Sequence, residues 1–130
     1  KMVVIDCPPG SSCAVMESIK DSDYCLLVTE PTVFGVHNLS MVYELVKLFN
    51  KPHGVVINKA VEEGNIAEDY CIENNISIVE KIPYESEIGL INSKGILVAA
   101  ENEKHFTMFK DILAKIRKEV QHEAVGCVKR

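Results

Sequence analysis

Met2-Val3-Val4-Ile5-Asp6-Cys7-Pro8-Pro9-Gly10 is an apolar run of four residues that delivers one carboxylate into a Pro-Pro-Gly turn. Such a run has the pattern of a strand buried on both faces of a parallel sheet, whose active crevice lies at the C-terminal strand tips. Asp6 is therefore a candidate magnesium-linked acid. The prolines fix φ and withhold two N–H donors, while Gly10 can bring its own N–H close to a ligand, as a segment sensing a terminal phosphate requires. The alternative reading is local: an Asp before a Pro/Gly turn also serves simply to cap the next helix. No stretch of the chain fits G-x-x-x-x-G-K-[ST], and none of the seven glycines precedes a lysine, so the backbone cradle for β- and γ-phosphates has no candidate.

Outward from this stretch, short apolar runs alternate with amphipathic windows, the sequence form of βαβ units around a parallel sheet. Met2–Ile5, Cys25–Val28, Val55–Ile57 and Ser77–Val79 are the expected strands. Ser11 or Ser12 is expected to cap a helix carrying Val15, Met16 and Ile19. After Pro31-Thr32, the residues Leu39, Val42, Leu45, Val46 and Phe49 share one helical face, and Asn50-Lys51-Pro52 stops that helix. Asn65 starts a third helix, expected to turn Ile66, Tyr70 and Ile72 inward. Residues 85–92 read as a short helix or turn. In the last helix Phe106, Phe109, Leu113, Ile116 and Val120 recur at i, i+3 or i+4 and are expected to pack on the sheet. Residues 125–130 are expected to fray.

At 130 residues and 47% hydrophobic content, the chain has the size and core material of one domain. Lys and Arg number 14 against 19 Asp and Glu, for a net charge of −5 without a basic block, which argues against nucleic acid as a partner. No apolar stretch approaches a membrane span and no signal peptide is visible, so a cytoplasmic location is expected. The cysteines at 7, 13, 25, 71 and 127 form no C-x-x-C pair, and their odd number fits reduced thiols. Cys25 and Cys71 sit in apolar patterns and read as core residues. Cys13, near a helix N-terminus, reads either as a cluster ligand or as an ordinary helix residue. The four histidines have no ligand spacing.

Asn58 follows Gly54-Val55-Val56-Ile57 and is placed at the tip of a strand. A carboxamide there can donate and accept at once, as reading the edge of adenine requires, or it can serve a local turn. Thr32 reads as a helix cap and Glu30 as a solvated or switch-linked acid. Pro83 ends the fourth strand at the same rim, where its backbone can line a base pocket.

VVIDCPPGSSC, DYCLLVTEPTVFGVHNL, PHGVVINKA and IPYESEI resemble, in order and spacing, the C-terminal half of the MinD/Mrp/ParA-like deviant P-loop ATPases. They look closest to MinD-superfamily members carrying an inserted ferredoxin-like domain. The resemblance implies an α/β fold with a mostly parallel sheet flanked by helices, of P-loop NTPase type. It implies ATP and Mg²⁺ as cofactors, Asp6 as the acid holding a magnesium-bound water, and Pro8-Pro9-Gly10 as the switch turn. Asn58 would read adenine and Pro83 would wall the base pocket. Cys13 lies where this branch often has Gly-Cys-Pro, and its step from Asp6 is similar to that of a bridging iron–sulfur ligand in the nitrogenase iron protein, although Ala14 replaces the Pro.

In that family the G-K-G-G-x-G-K-T loop, switch I and the ferredoxin-type clusters precede the Asp6 strand. Residues 1–130 are thus expected to be the C-terminal part of a P-loop ATPase domain, lacking the P-loop strand and inactive alone. In the family that strand lies between the Asp6-type strand and the one beginning near Cys25. Two edges are then left open, and the chain is expected to pair those strands directly or to form a homodimer through them. The rival functions are a nucleotide-free interaction module and an iron–sulfur scaffold using Cys13.

Overall fold

Three of the four apolar runs pair into one parallel sheet in the computed structural model, which describes residues 1–61 and 64–128, with side chains through residue 121. Strands β1 (Cys25–Thr29), β2 (His53–Ala60) and β3 (Ile78–Pro83) lie in that order, each joined to the next by a helical crossover. The register sets Cys25 opposite His53 and Thr29 opposite Ile57, and then Val55 opposite Ile78. The α/β class and parallel pairing expected from the alternating pattern are present.

Helices α1 (Cys13–Asp21), α2 (Val33–Leu48) and α3 (Ile66–Glu73) pack on one face of the sheet. Val15, Ile19, Leu39, Tyr43 and Val46 meet Leu27, Val55 and Ile57 there. Val46, Val55 and Ile57 are fully buried, each contributing about 1.5–3 kcal/mol of transfer free energy. The second face is covered by α6 (Glu103–Val128), where Ile112, Met108 and Ile116 pack on Val56, Val79 and Ile82. β2 is buried from both sides over Gly54–Ile57, while β1 is buried at every second residue although its sequence is apolar almost throughout. Two short helices, α4 (Ser86–Ser93) and α5 (Val98–Glu101), join β3 to α6.

Local chemistry explains the helix starts. Thr32 caps α2 by accepting from Gly35 N–H at 2.9 Å, and Asn65 caps α3 by accepting from Ala67 and Glu68 N–H. Ser12 occupies the N-cap of α1, with its side chain making no cap bond. Gly35 is required by packing: a Cβ there would stand 2.4 Å from the Glu30 carbonyl oxygen. Asn50, at φ 51°, turns the chain out of α2 before Pro52.

Three expectations need correction. Met2–Ile5 does not form a strand: residues 1–8 carry no regular structure, and Met2, Val3, Val4 and Ile5 are exposed. Apolar pattern alone cannot make a strand without a hydrogen-bonded neighbour, and the segment neither joins the sheet nor pairs with β1. In α3 the inward residues are Ala67 and Cys71, both fully buried, whereas Ile66 and Ile72 face out and Tyr70 is only partly buried. The small pair at i, i+4 lets the helix approach the sheet closely. In α6 the sheet-facing stripe is Met108, Ile112 and Ile116. Phe106 and Phe109 point instead to α5, lining an apolar groove with Leu97 to Ala100.

The two sheet edges differ. β3 carries Glu80, Lys81 and Pro83, and Lys115 of α6 reaches the Val79 carbonyl at 2.9 Å and Glu80 at 3.6 Å. β1 is Cys-Leu-Leu-Val-Thr, with no charge and no proline, and Leu26 and Val28 stand exposed on it. Charged residues and proline are the usual guards of a sheet edge, and only one edge here has them.

Candidate functional site

Parallel strands place their C-terminal tips on one rim, where Ala60 stands opposite Pro83 and β1 ends earlier, with Thr29 opposite Ile57. Between its pairings Ile57 to Lys81 and Ala60 to Pro83, β2 spends two residues, Asn58 and Lys59, against the single Ile82 of β3. This is a bulge, a device that bends a strand tip and re-aims a side chain. Lys59 adopts φ 55°, a left-handed conformation uncommon for a residue with a Cβ.

Asn58 accepts from Lys59 N–H through Oδ1 at 3.0 Å. That local bond matches the turn-forming reading of Asn58, yet the oxygen retains a second lone pair and the amide nitrogen two donors. Lys59 Nζ stands 3.8 Å from Glu30 Oε2, an exposed ion pair between the tip of β2 and the residue after β1. On the other side Tyr84 N–H donates to the Ala60 carbonyl at 2.9 Å, which continues the ladder one step past Pro83.

Two carboxylates hold the surrounding loops. Glu68, buried on the first turn of α3, accepts from Gly64 N–H and pairs with Lys81 Nζ. The Lys81 bond first, and the Gly64 N–H second, hold its carboxyl below the usual range. Glu85, the residue after Tyr84, meets Lys104 Nζ at 3.0 Å and His105 Nε2 at 3.3 Å. Lys104 and then His105 lower its pKa. His105 is buried, and among the described residues its Nδ1 has no hydrogen-bond partner.

Of the expected site residues, the fold brings Asn58 and Pro83 together at adjacent strand tips. Asp6 and Gly10 lie in the unpaired segment before α1, where Asp6 is exposed and Gly10 takes φ 97°. No strand carries Asp6 to the rim beside Asn58. Cys13 is exposed at the first position of α1, and Cys25 and Cys71 are buried as their patterns indicate. Among the described residues no three His, Cys, Asp or Glu side chains cluster as a metal site. No helix there is long and apolar enough to cross a membrane.

The sequence reading missed Glu68, the bulge and the Glu85 cluster. A signal existed for Glu68: Asn65-x-x-Glu68 has the spacing of a capping box, in which the acid reaches back to an N–H before the helix.

No family model matches the chain. Its sequence is similar to two uncharacterized proteins of Methanocaldococcus jannaschii. One is 26% identical over 114 residues, covering 88% of this chain and 39% of the relative. The other is 31% identical over 78 residues, covering 59% of this chain and 29% of the relative. The chain thus spans well under half the length of these relatives. Its structure is similar to the MinD cell division protein of Aquifex aeolicus, with a TM-score of 0.60 and 19% identity over 79% of this chain and 46% of that one. At that identity the likeness establishes a MinD-like fold.

Proposed function

We propose that this chain carries the base-binding side of a MinD-like nucleotide site whose phosphate cradle comes from polypeptide outside these 130 residues. The observation that carries the reading is the juxtaposition of Asn58, on a bulged strand tip, with Pro83 on the neighbouring tip. An open parallel sheet binds ligands outside its C-terminal tips, and a left-handed residue beside a polar side chain marks a backbone bent for use. The residues present fit a purine. Asn58 Nδ2 would donate to a ring nitrogen and the free lone pair of Oδ1 would accept from the exocyclic amine, with Pro83 walling one side.

The unguarded edge of β1 supports the rest of the reading, because a strand supplied there would pair the open backbone groups of β1 and give Met2–Ile5 a neighbour. Once paired, that segment would bring Asp6 to hold a magnesium-bound water and Gly10 toward the terminal phosphate. The whole protein is then an ATP-dependent switch of the cytoplasm, acting as a homodimer. Phosphoryl transfer draws most of its catalysis from P-loop amides and lysine, so this chain alone is expected not to hydrolyse ATP. The iron–sulfur reading rests on Cys13 alone and would need the thiol of a second copy.

Titration of the ¹⁵N-labelled chain with AMP and ATP tests the reading. Both nucleotides are expected to shift the Asn58, Ala60 and Tyr84 amides in the millimolar range with similar affinity, since nothing here cradles the β- and γ-phosphates. Micromolar ATP affinity would contradict the division of the site, and no response to AMP would remove the base-binding reading.

A further inference from the structure

We propose that the ring of Tyr84 is the platform on which the purine stacks, making Tyr84 the residue that sets affinity for the base. The inference rests on the base-binding reading above and extends it to the residue that follows Pro83. Tyr84 follows Pro83 directly and is 62% exposed. An exposed tyrosine on a mobile turn would mean little, but the backbone that carries this one is pinned on both sides. Its own N–H is bound to Ala60, in the strand whose bulge holds Asn58. The next residue, Glu85, is tied to α6 by Lys104 and by the buried His105.

The ring is thus displayed in water from a fixed point on the rim, one ladder step from the bulge. A rigid aromatic with one χ1 and one χ2 to settle loses little entropy on capturing a planar ligand. Any base offers a π-face, so stacking supplies affinity with little selectivity, and the carboxamide of Asn58 supplies selection by edge. Another exposed aromatic, Phe34 on the first turn of α2, follows β1 rather than β3. It serves as the internal control.

The test is the same AMP titration by amide shifts, run on the intact chain and on Tyr84→Leu, Tyr84→Phe and Phe34→Leu. Tyr84→Leu is expected to weaken AMP binding about tenfold, within the range for loss of one base–aromatic stack. Tyr84→Phe and Phe34→Leu are expected to stay within twofold of the parent. Ribose 5-phosphate, which has no base, is expected to leave the Ala60 and Tyr84 amides unmoved. If AMP binds the parent and Tyr84→Leu binds it equally well, the platform is wrong while the base site stands. If the parent does not respond to AMP, the site and the platform fail together. A collapsed amide spectrum for Tyr84→Leu would be read through Tyr84→Phe, for which a tenfold loss overturns stacking in favour of a role for the hydroxyl.

Discussion

The carboxylate of Glu68 on α3 and the ammonium of Lys81 on β3 form an ion pair at the rim, with the acid buried and the base half exposed. With the Gly64 N–H on the same carboxylate, this pair ties the loop after β2 to the strand that ends in Pro83.

Removing the Glu68 carboxylate is expected to destabilise the fold. Glu68→Gln removes the charged end of the Lys81 contact and weakens the bond to Gly64, a loss of about 1–3 kcal/mol for a buried charged acceptor. The folded carboxyl titrates below its ordinary value, so its contribution is fully present above the unfolded pKa of about 4.3 and disappears as pH falls through the folded one. Thermal unfolding from pH 7 to pH 3 should therefore show the parent and Glu68→Gln far apart at neutral pH and converging in acid. A constant gap across that range would mean the carboxylate charge is not what matters.

Gly35→Ala sets two effects of opposite sign against each other. Alanine improves helix propensity by about 1 kcal/mol, but its Cβ would stand 2.4 Å from the Glu30 carbonyl oxygen, a backbone atom that cannot rotate away. Overpacking of this kind costs about 1–3 kcal/mol, and the net effect is expected to be destabilising. The urea midpoint followed by circular dichroism gives the sign directly.

Lys59→Gly should move the other way. A left-handed residue with a Cβ stores about 1 kcal/mol that glycine releases, and the solvent-exposed contact to Glu30 is worth less than that. A rise of a few degrees in melting temperature is expected, offset in part by the greater freedom of glycine in the unfolded chain. A fall of several degrees would show that the lysine side chain stabilises the bulge.

The bare edge of β1 should make the chain self-associate. Sedimentation velocity over a concentration series is expected to show a reversible dimer, and Val28→Lys to shift it to monomer with little change in melting temperature, since Val28 is 64% exposed. A concentration-independent monomer for the parent would remove the edge-pairing expectation and weaken the case for a strand supplied from outside.

The strands of the sheet were legible because a buried parallel strand is a short apolar run whatever surrounds it, and β1, β2 and β3 lie where Cys25, Val55 and Ile78 indicate. The caps at Thr32 and Asn65 were legible for the same reason: the oxygen that satisfies an open N–H sits within three residues of it. The faces of the helices were harder. In α6, aromatic spacing singled out Phe106 and Phe109, yet α5 takes those rings and leaves the sheet to Met108 and Ile112. Hydrophobic periodicity reports that a stripe exists but not which of two neighbours it meets.

The sequence by itself determined the alternation of strand and helix from β1 onward, the caps of α2 and α3, and the presence of Asn58 near one strand end and Pro83 at another. Those features depend on contacts within a turn or two of chain. Only the tertiary structure decided that Met2–Ile5 goes unpaired, that an extra residue bulges at Asn58 and Lys59, and that Glu68 meets Lys81. A strand exists only beside another strand, a bulge only against a partner of different count, and an ion pair only where distant segments have already been packed together.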